Sequence, residues 1–247
     1  MALSIKNEEA SNTQQKTYKG SIESWQEWEE LYKQGYRTVA GDFDCSWNQL
    51  TSLEHCPKEV IGDFNCSWNQ LISLEDCPKE VSGGFDCSSN ELTSLKHCPE
   101  KVGGDFDCSL NYQLTSLEHC PEEVDGAFKC SRSGLISLKH CPKKVHGDFD
   151  CLWNQLTSLE HCPEEVGGHF NCIINQLTSL DHHPEKVGGD FNCSSNKLTS
   201  LKQYSKEVIS DFNCLENQFC DSLLTDNQSK HYLTYIIKGN QPHCDNI

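Results

Sequence analysis

The residues best equipped for chemistry are 17 cysteines and 11 histidines, and their spacing decides what chemistry is open to them. Nine cysteines follow a Phe-x pair: Cys45, Cys66, Cys87, Cys108, Cys130, Cys151, Cys172, Cys193 and Cys214. Six more (Cys56, Cys77, Cys98, Cys120, Cys141 and Cys162) each precede a proline, and Cys220 and Cys244 stand apart. So many thiols raise the question of a disulfide framework. Such a framework rarely repeats each half-cystine at the same site in every unit, whereas buried free cysteine packs as a small hydrophobe. An odd total also fits a reducing compartment. The expectation is reduced, structural thiols. A second row, His55, His97, His119, His140, His161 and His182, directly precedes the second cysteine position. Zinc needs four ligands converging within ~2.0–2.3 Å. In extended chain His55 and Cys56 point to opposite sides, so these histidines read as a solvated row on the convex surface rather than as ligands. Cys220 and Cys244 lack an activating base nearby, and no phosphate loop or Ser/His/Asp arrangement is present. No catalytic residue, metal or cofactor is therefore expected.

The remaining candidates lie beside the Phe-x-Cys triplets. Asp42, Asp63, Asp105, Asp148, Asp190 and Asp211 precede the phenylalanines, while Asp44, Asp86, Asp107 and Asp150 follow them. In parallel strands these form two acidic stripes at ~5 Å per step. Trp47, Trp68 and Trp153 stand next to the stripes, where other units carry Ser89, Leu110, Ile174 or Ser195. An acidic surface with aromatic anchors suits a basic protein partner, because aromatics hold interfaces and charge steers encounter. The other reading is that aspartate merely keeps a long sheet soluble and unpaired. For any single aspartate that reading is preferred; for the Trp47–Trp68 patch with Asp42, Asp44 and Asp63 partner binding is.

Composition narrows the classes further. The 247 residues are 36% hydrophobic and carry a formal charge of −17. That charge argues against a nucleic-acid scaffold or an anionic membrane surface as partner. No apolar run approaches the ~18–20 residues of a membrane span. The first ten residues contain no apolar core of a secretory signal, so a cytoplasmic location is expected.

These residues must be positioned by a repeat. The Phe-x-Cys triplets recur every 21 residues, with one step of 22 between Cys108 and Cys130, and each unit reads close to V-x-G-D-F-x-C-S-x-N-x-L-T-S-L-x-x-C-P-x-x. Alternation at Asp63-Phe64-Asn65-Cys66-Ser67 predicts a strand with one buried face. Nine phenylalanines from Phe43 to Phe212 should stack in a column. Leu50 to Leu198 and Leu53 to Leu201 should form two more, and Asn48 to Asn217 an amide ladder bonding the backbone. Gly62, Gly104, Gly147 and Gly189 mark tight approach into the strand, and Pro57 and Pro78 stiffen the return segment.

The period and the L-x-x-N-x-L logic resemble the leucine-rich-repeat family over residues 39–223. The short units with L-T-S-L and proline are similar to repeats of bacterial secreted effectors and of large DNA viruses and phages. The resemblance implies a curved parallel-β horseshoe, a solenoid with a short helical cap at each end, that binds protein on its concave strand face. Within it, residues 1–20 read as a disordered tail, 21–38 as an N-terminal helical cap and 224–247 as a C-terminal cap and tail. A capping box Ser24-Trp-Gln-Glu27 opens the first cap, and a helix is expected around 227–238. The expected function is a monomeric, non-enzymatic interaction module. The alternatives are an effector acting in a host cell as an adaptor or ubiquitin-ligase-like component, although about 30 residues after the last repeat are too few for such a domain, and a structural virion component. The fifth unit departs from the pattern, with Tyr112 inserted before it and Cys130-Ser-Arg-Ser-Gly134 replacing the ladder asparagine by Ser133. It reads as either a tolerated local defect or a specialised binding spot.

Overall fold

The structure, a computed structural model, describes residues 15–201 and 210–218. Each turn of the coil carries the two-residue strand read from the alternation, from Phe43–Asp44 to Phe212–Asn213. These strands form one nine-stranded parallel sheet in which every phenylalanine pairs with the next, Phe43 with Phe64 and so on to Phe191 with Phe212. A second row of short strands, not foreseen in the sequence, is built on the repeat's valine. Lys16–Tyr18, Tyr36–Val39, Glu59–Val60, Glu80–Val81 and Lys101–Val102 make a five-stranded parallel sheet, and Glu123–Val124, Lys144–Val145, Glu165–Val166 and Lys186–Val187 a four-stranded one. The break falls at the turn that Tyr112 lengthens. The described residues thus form a parallel β-solenoid of about nine turns with very little helix.

The interior is assembled by repetition, since one turn buries little and stacked turns share a core. Phe43 to Phe191 are at most 1% exposed, and neighbouring rings lie 5.0–5.7 Å apart along the whole column. Both leucine columns are buried, Leu50 at the first turn only partly. Each buried Phe or Leu contributes about 1.5–3 kcal/mol of transfer free energy. The fifteen described cysteines are all unbridged, and both their columns lie against this core. Gly62 is required by proximity rather than by its φ: a Cβ there would lie 2.6 Å from the carbonyl carbon of Gly41 in the turn before.

Polar groups inside the coil are satisfied by the asparagine ladder. Asn90 donates from Nδ2 to the carbonyls of Cys87 and Ser88 in its own turn and of Cys66 in the turn before, at 3.0–3.2 Å. Its Oδ1 accepts the Leu71 N–H at 3.0 Å. Asn69, Asn111, Asn154, Asn175, Asn196 and Asn217 repeat the three donations.

Helix α1, Trp25–Lys33, precedes the first full turn, and the Ser24 hydroxyl accepts the Glu27 N–H at 3.4 Å. Trp28 is fully buried with its indole edge-on to Phe43 at 5.4 Å. Its Nε1–H donates to the His55 carbonyl at 2.8 Å. Further along, the thiols of Cys98, Cys120, Cys141 and Cys162 donate to the carbonyls of His119, His140, His161 and His182 one turn on, at 2.9–3.0 Å. Trp28 therefore supplies the donor that a preceding turn's cysteine would supply. Residues 16–18, which the sequence assigned to the tail, form a strand against Tyr36–Val39 instead. The helix expected around 227–238, together with Cys220 and Cys244, lies outside the described residues.

Candidate functional site

Between each strand and its ladder asparagine the chain turns sharply, and the residue there is left-handed in all nine turns. Trp47 has φ 57°, Trp68 52°, Arg132 51°, Trp153 54° and Ile174 52°. A non-glycine residue pays roughly 1–2 kcal/mol for this conformation. The coil enforces it, because the residue's N–H bonds the serine carbonyl of the next turn (Trp47 to Ser67, Trp68 to Ser88) while the following asparagine is locked into the ladder. The side chain is thereby turned outward.

At the first two turns this geometry builds an aromatic platform. The Trp47 and Trp68 rings stack with centroids 4.3 Å apart and planes 8° from parallel, yet remain 68% and 49% exposed. Trp153 lies four turns on, 51% exposed, with the Arg132 guanidinium 4.7 Å from its ring centre. The structure thus brings Trp47 and Trp68 together and places Trp153 in a separate cluster.

The aspartates have work inside the coil. Asp42 accepts the Asp63 N–H at 2.9 Å and Asp63 the Gly84 N–H at 2.6 Å. Asp105, Asp148 and Asp190 do the same for Ala127, His169 and Asp211. Where His169 replaces aspartate, its Nδ1 accepts the Asp190 N–H at 2.9 Å. The stripe after phenylalanine closes local turns: Asp44 accepts the Ser46 N–H and Asn65 the Ser67 N–H, so either side chain serves. Asp42 and Asp63 are exposed beside the tryptophans, and Asp44 is half-buried. Further along this stripe, burial raises the Asp107 carboxyl above the usual carboxylate range, against hydrogen bonds from Ser109 that lower it.

The histidine row differs from its expected extended conformation. His55, His97, His119, His140, His161 and His182 are left-handed, with φ of 64–75°. Asp76 fills the same place at 67°. Histidine and aspartate are among the residues that tolerate this region, which explains the row without ligands. Burial drives the thiols away from ionisation: Cys98 is pushed up to about 12, and Cys66, Cys87, Cys130 and Cys151 well above the ordinary value. Among the described residues no three His, Cys, Asp or Glu side chains gather around a point that would hold a metal ion, and no helix is long and apolar enough to cross a membrane.

No protein-family model matches the chain, and no curated protein matches it in sequence.

Proposed function

We propose that this chain is a non-enzymatic protein-interaction module that binds a basic protein through Trp47 and Trp68, with Asp42, Asp44 and Asp63 around them. The observation that carries this reading is the exposed indole stack, held at two positions whose backbone disfavours tryptophan. Nothing in the coil needs an indole there, since Ser89 and Ser195 occupy the same conformation. Two stacked rings offer a rigid apolar surface at little entropic cost, and the −17 charge steers a basic partner toward it. The finer reading, a monomeric short-unit leucine-rich repeat of the cytoplasm binding on the concave side of a curved coil, rests on the repeat spacing together with this surface.

The test is capture of a basic partner by the chain and three variants. Trp47→Ala with Trp68→Ala should weaken binding by about 30-fold or more, the ~2 kcal/mol of a central interface tryptophan, with the circular dichroism unchanged. Asp42→Asn with Asp63→Asn keeps both acceptors for the backbone and should chiefly slow association and flatten its salt dependence. His97→Ala with His119→Ala should do nothing. A partner that binds the tryptophan variant normally and is lost by the histidine variant refutes this assignment.

A further inference from the structure

The turn around Ser133 departs from the others in three side chains at once, and the departures face one another. Ser133 stands where the ladder has asparagine, Gly134 where Gln49, Gln70, Gln155 and Gln176 stand, and Tyr112 is the extra residue of the turn before. At this site lies a groove of about 500 Å³, lined by Tyr112, Arg132, Ser133, Trp153, Ile174 and Gln176. That is within the range of small-molecule sites.

Two observations point to a ligand. Ser133 is 8% exposed, and its buried Oγ has no hydrogen-bond partner, a state native proteins rarely leave unfilled. Gly134 lies outside the left-handed region, but a Cβ there would press on the Tyr112 carbonyl oxygen at 3.0 Å, so the glycine answers to the close approach of the lengthened turn. Arg132 is one of two arginines in the chain. The other, Arg37, spends its donors on the carbonyls of Tyr32 and Tyr36, whereas among the described residues the Arg132 guanidinium makes no hydrogen bond or ion pair and rests over the Trp153 ring. A guanidinium resting on an aromatic ring keeps its edge N–H groups for a carboxylate. The carboxylates flanking Phe149 are already engaged, Asp150 by the Ser131 hydroxyl and the Leu152 N–H and Asp148 by the His169 N–H.

We propose that this groove binds a small organic monoanion, a carboxylate on a flat or apolar body, with Arg132 and Ser133 holding the carboxylate and Trp153 and Ile174 the body. One cation matches one negative charge, and in a chain of net charge −17 a phosphate dianion is the poorer match. The site is separate from the Trp47–Trp68 platform and does not depend on it.

Titrating the full-length chain with benzoate, benzamide and inorganic phosphate, followed by NMR, tests this. Benzoate should shift the Trp153 indole and the Tyr112, Ser133 and Gly134 amides, and bind roughly tenfold tighter than benzamide, which corresponds to about 1.4 kcal/mol for the charge. Arg132→Gln should bring benzoate down to the benzamide affinity. Gly134→Gln, whose side chain enters the groove at the cost of a small shift of the Tyr112 carbonyl, should abolish binding of both. Equal affinity for benzoate and benzamide, tighter binding of phosphate, shifts centred on Trp47 and Trp68, or no shifts with the wild-type chain would each overturn the proposal. The wild-type comparison decides even if a variant fails to fold.

Discussion

The turns at Trp47–Trp68 and at Arg132–Trp153 share one backbone and differ in what they do with it. Both hold their outward residue left-handed, and both bury phenylalanine, cysteine and leucine in the same columns. At the first pair the ladder is whole and the surplus is on the surface, as two indoles stacked on each other. At the second, Ser133 contributes none of the donations an asparagine makes, and an arginine takes the place of the second indole. The break has been accommodated locally. In a regular turn the leucine N–H after the ladder bonds the next asparagine, as Leu71 does with Asn90. In the lengthened turn the Leu114 N–H instead reaches the Asn111 carbonyl of its own turn at 2.9 Å. Inserting Tyr112 and losing the asparagine at 133 are therefore two halves of one change. A solenoid tolerates such a change because each turn answers only to its neighbours.

The largest expected effect should erase the distinction, because the thiol columns run unbroken through both regions. Burial raises twelve thiols, those of Cys56, Cys66, Cys77, Cys87, Cys98, Cys108, Cys120, Cys130, Cys141, Cys151, Cys172 and Cys193. A group raised in the folded state contributes its stability below the unfolded value, about 8.5 for cysteine, and loses it as pH climbs toward the folded value. Each thiol then withdraws up to about 1.4 kcal/mol per pH unit, and several together exceed the ~5–15 kcal/mol that holds a domain. In the presence of a reductant the coil should unfold between about pH 9 and 10, Phe64–Leu74 together with Phe128–Leu138. Native circular dichroism retained at pH 11 would show that the thiols are not buried as described.

A smaller effect should separate the regions. Asn90→Ser removes three donations and strands the Leu71 N–H inside the coil. At ~0.5–1.5 kcal/mol per bond and ~1–3 for a stranded group, this costs about 3 kcal/mol or more. Ser133→Asn should change stability by less than about 1 kcal/mol, since Leu114 is already served. Urea unfolding measures both. Native-state hydrogen exchange adds the local comparison: Phe128–Leu138 should open sooner than Phe64–Leu74, and equal protection would mean that the ladder is not what holds a turn shut.

The parts of this fold that could be read in advance are those where one residue type does one job at a fixed spacing. Phe43 to Phe212, the two leucine columns and the ladder asparagines are of this kind, and their inward placement follows from period and polarity alone. The valine sheet was missed although Val39 to Val187 recur as regularly, because a lone β-branched residue between charged neighbours is a weak strand signal. The aspartates were half read: their type was visible, but acceptance of the next turn's N–H requires knowing how closely the turns approach. For the histidine row a signal was present, since Asp76 alternates with histidine and the two share tolerance of left-handed backbone. The groove at Ser133 was unreadable beyond its irregularity, because an unpartnered hydroxyl and an unpaired guanidinium are facts of geometry.

The smallest effect asks whether the outward residues serve the coil or the surface. Ser89 stands in the same conformation as Trp68, φ 53° against 52°, and its hydroxyl is buried without a partner. Ser89→Gly removes both the left-handed penalty, roughly 1–2 kcal/mol, and the unsatisfied hydroxyl, against about 0.5–1 kcal/mol of added unfolded-state freedom. It should stabilise the chain by about 1 kcal/mol. Trp68→Gly relieves the same penalty and pays the same entropy, but gives up the stack on Trp47, worth about 0.5–1.5 kcal/mol. It should leave stability nearly unchanged while weakening partner binding. The two thermal midpoints decide the point. If Trp68→Gly instead unfolds the first turns, the indoles are part of the coil's own packing, and their exposure on the surface carries no function.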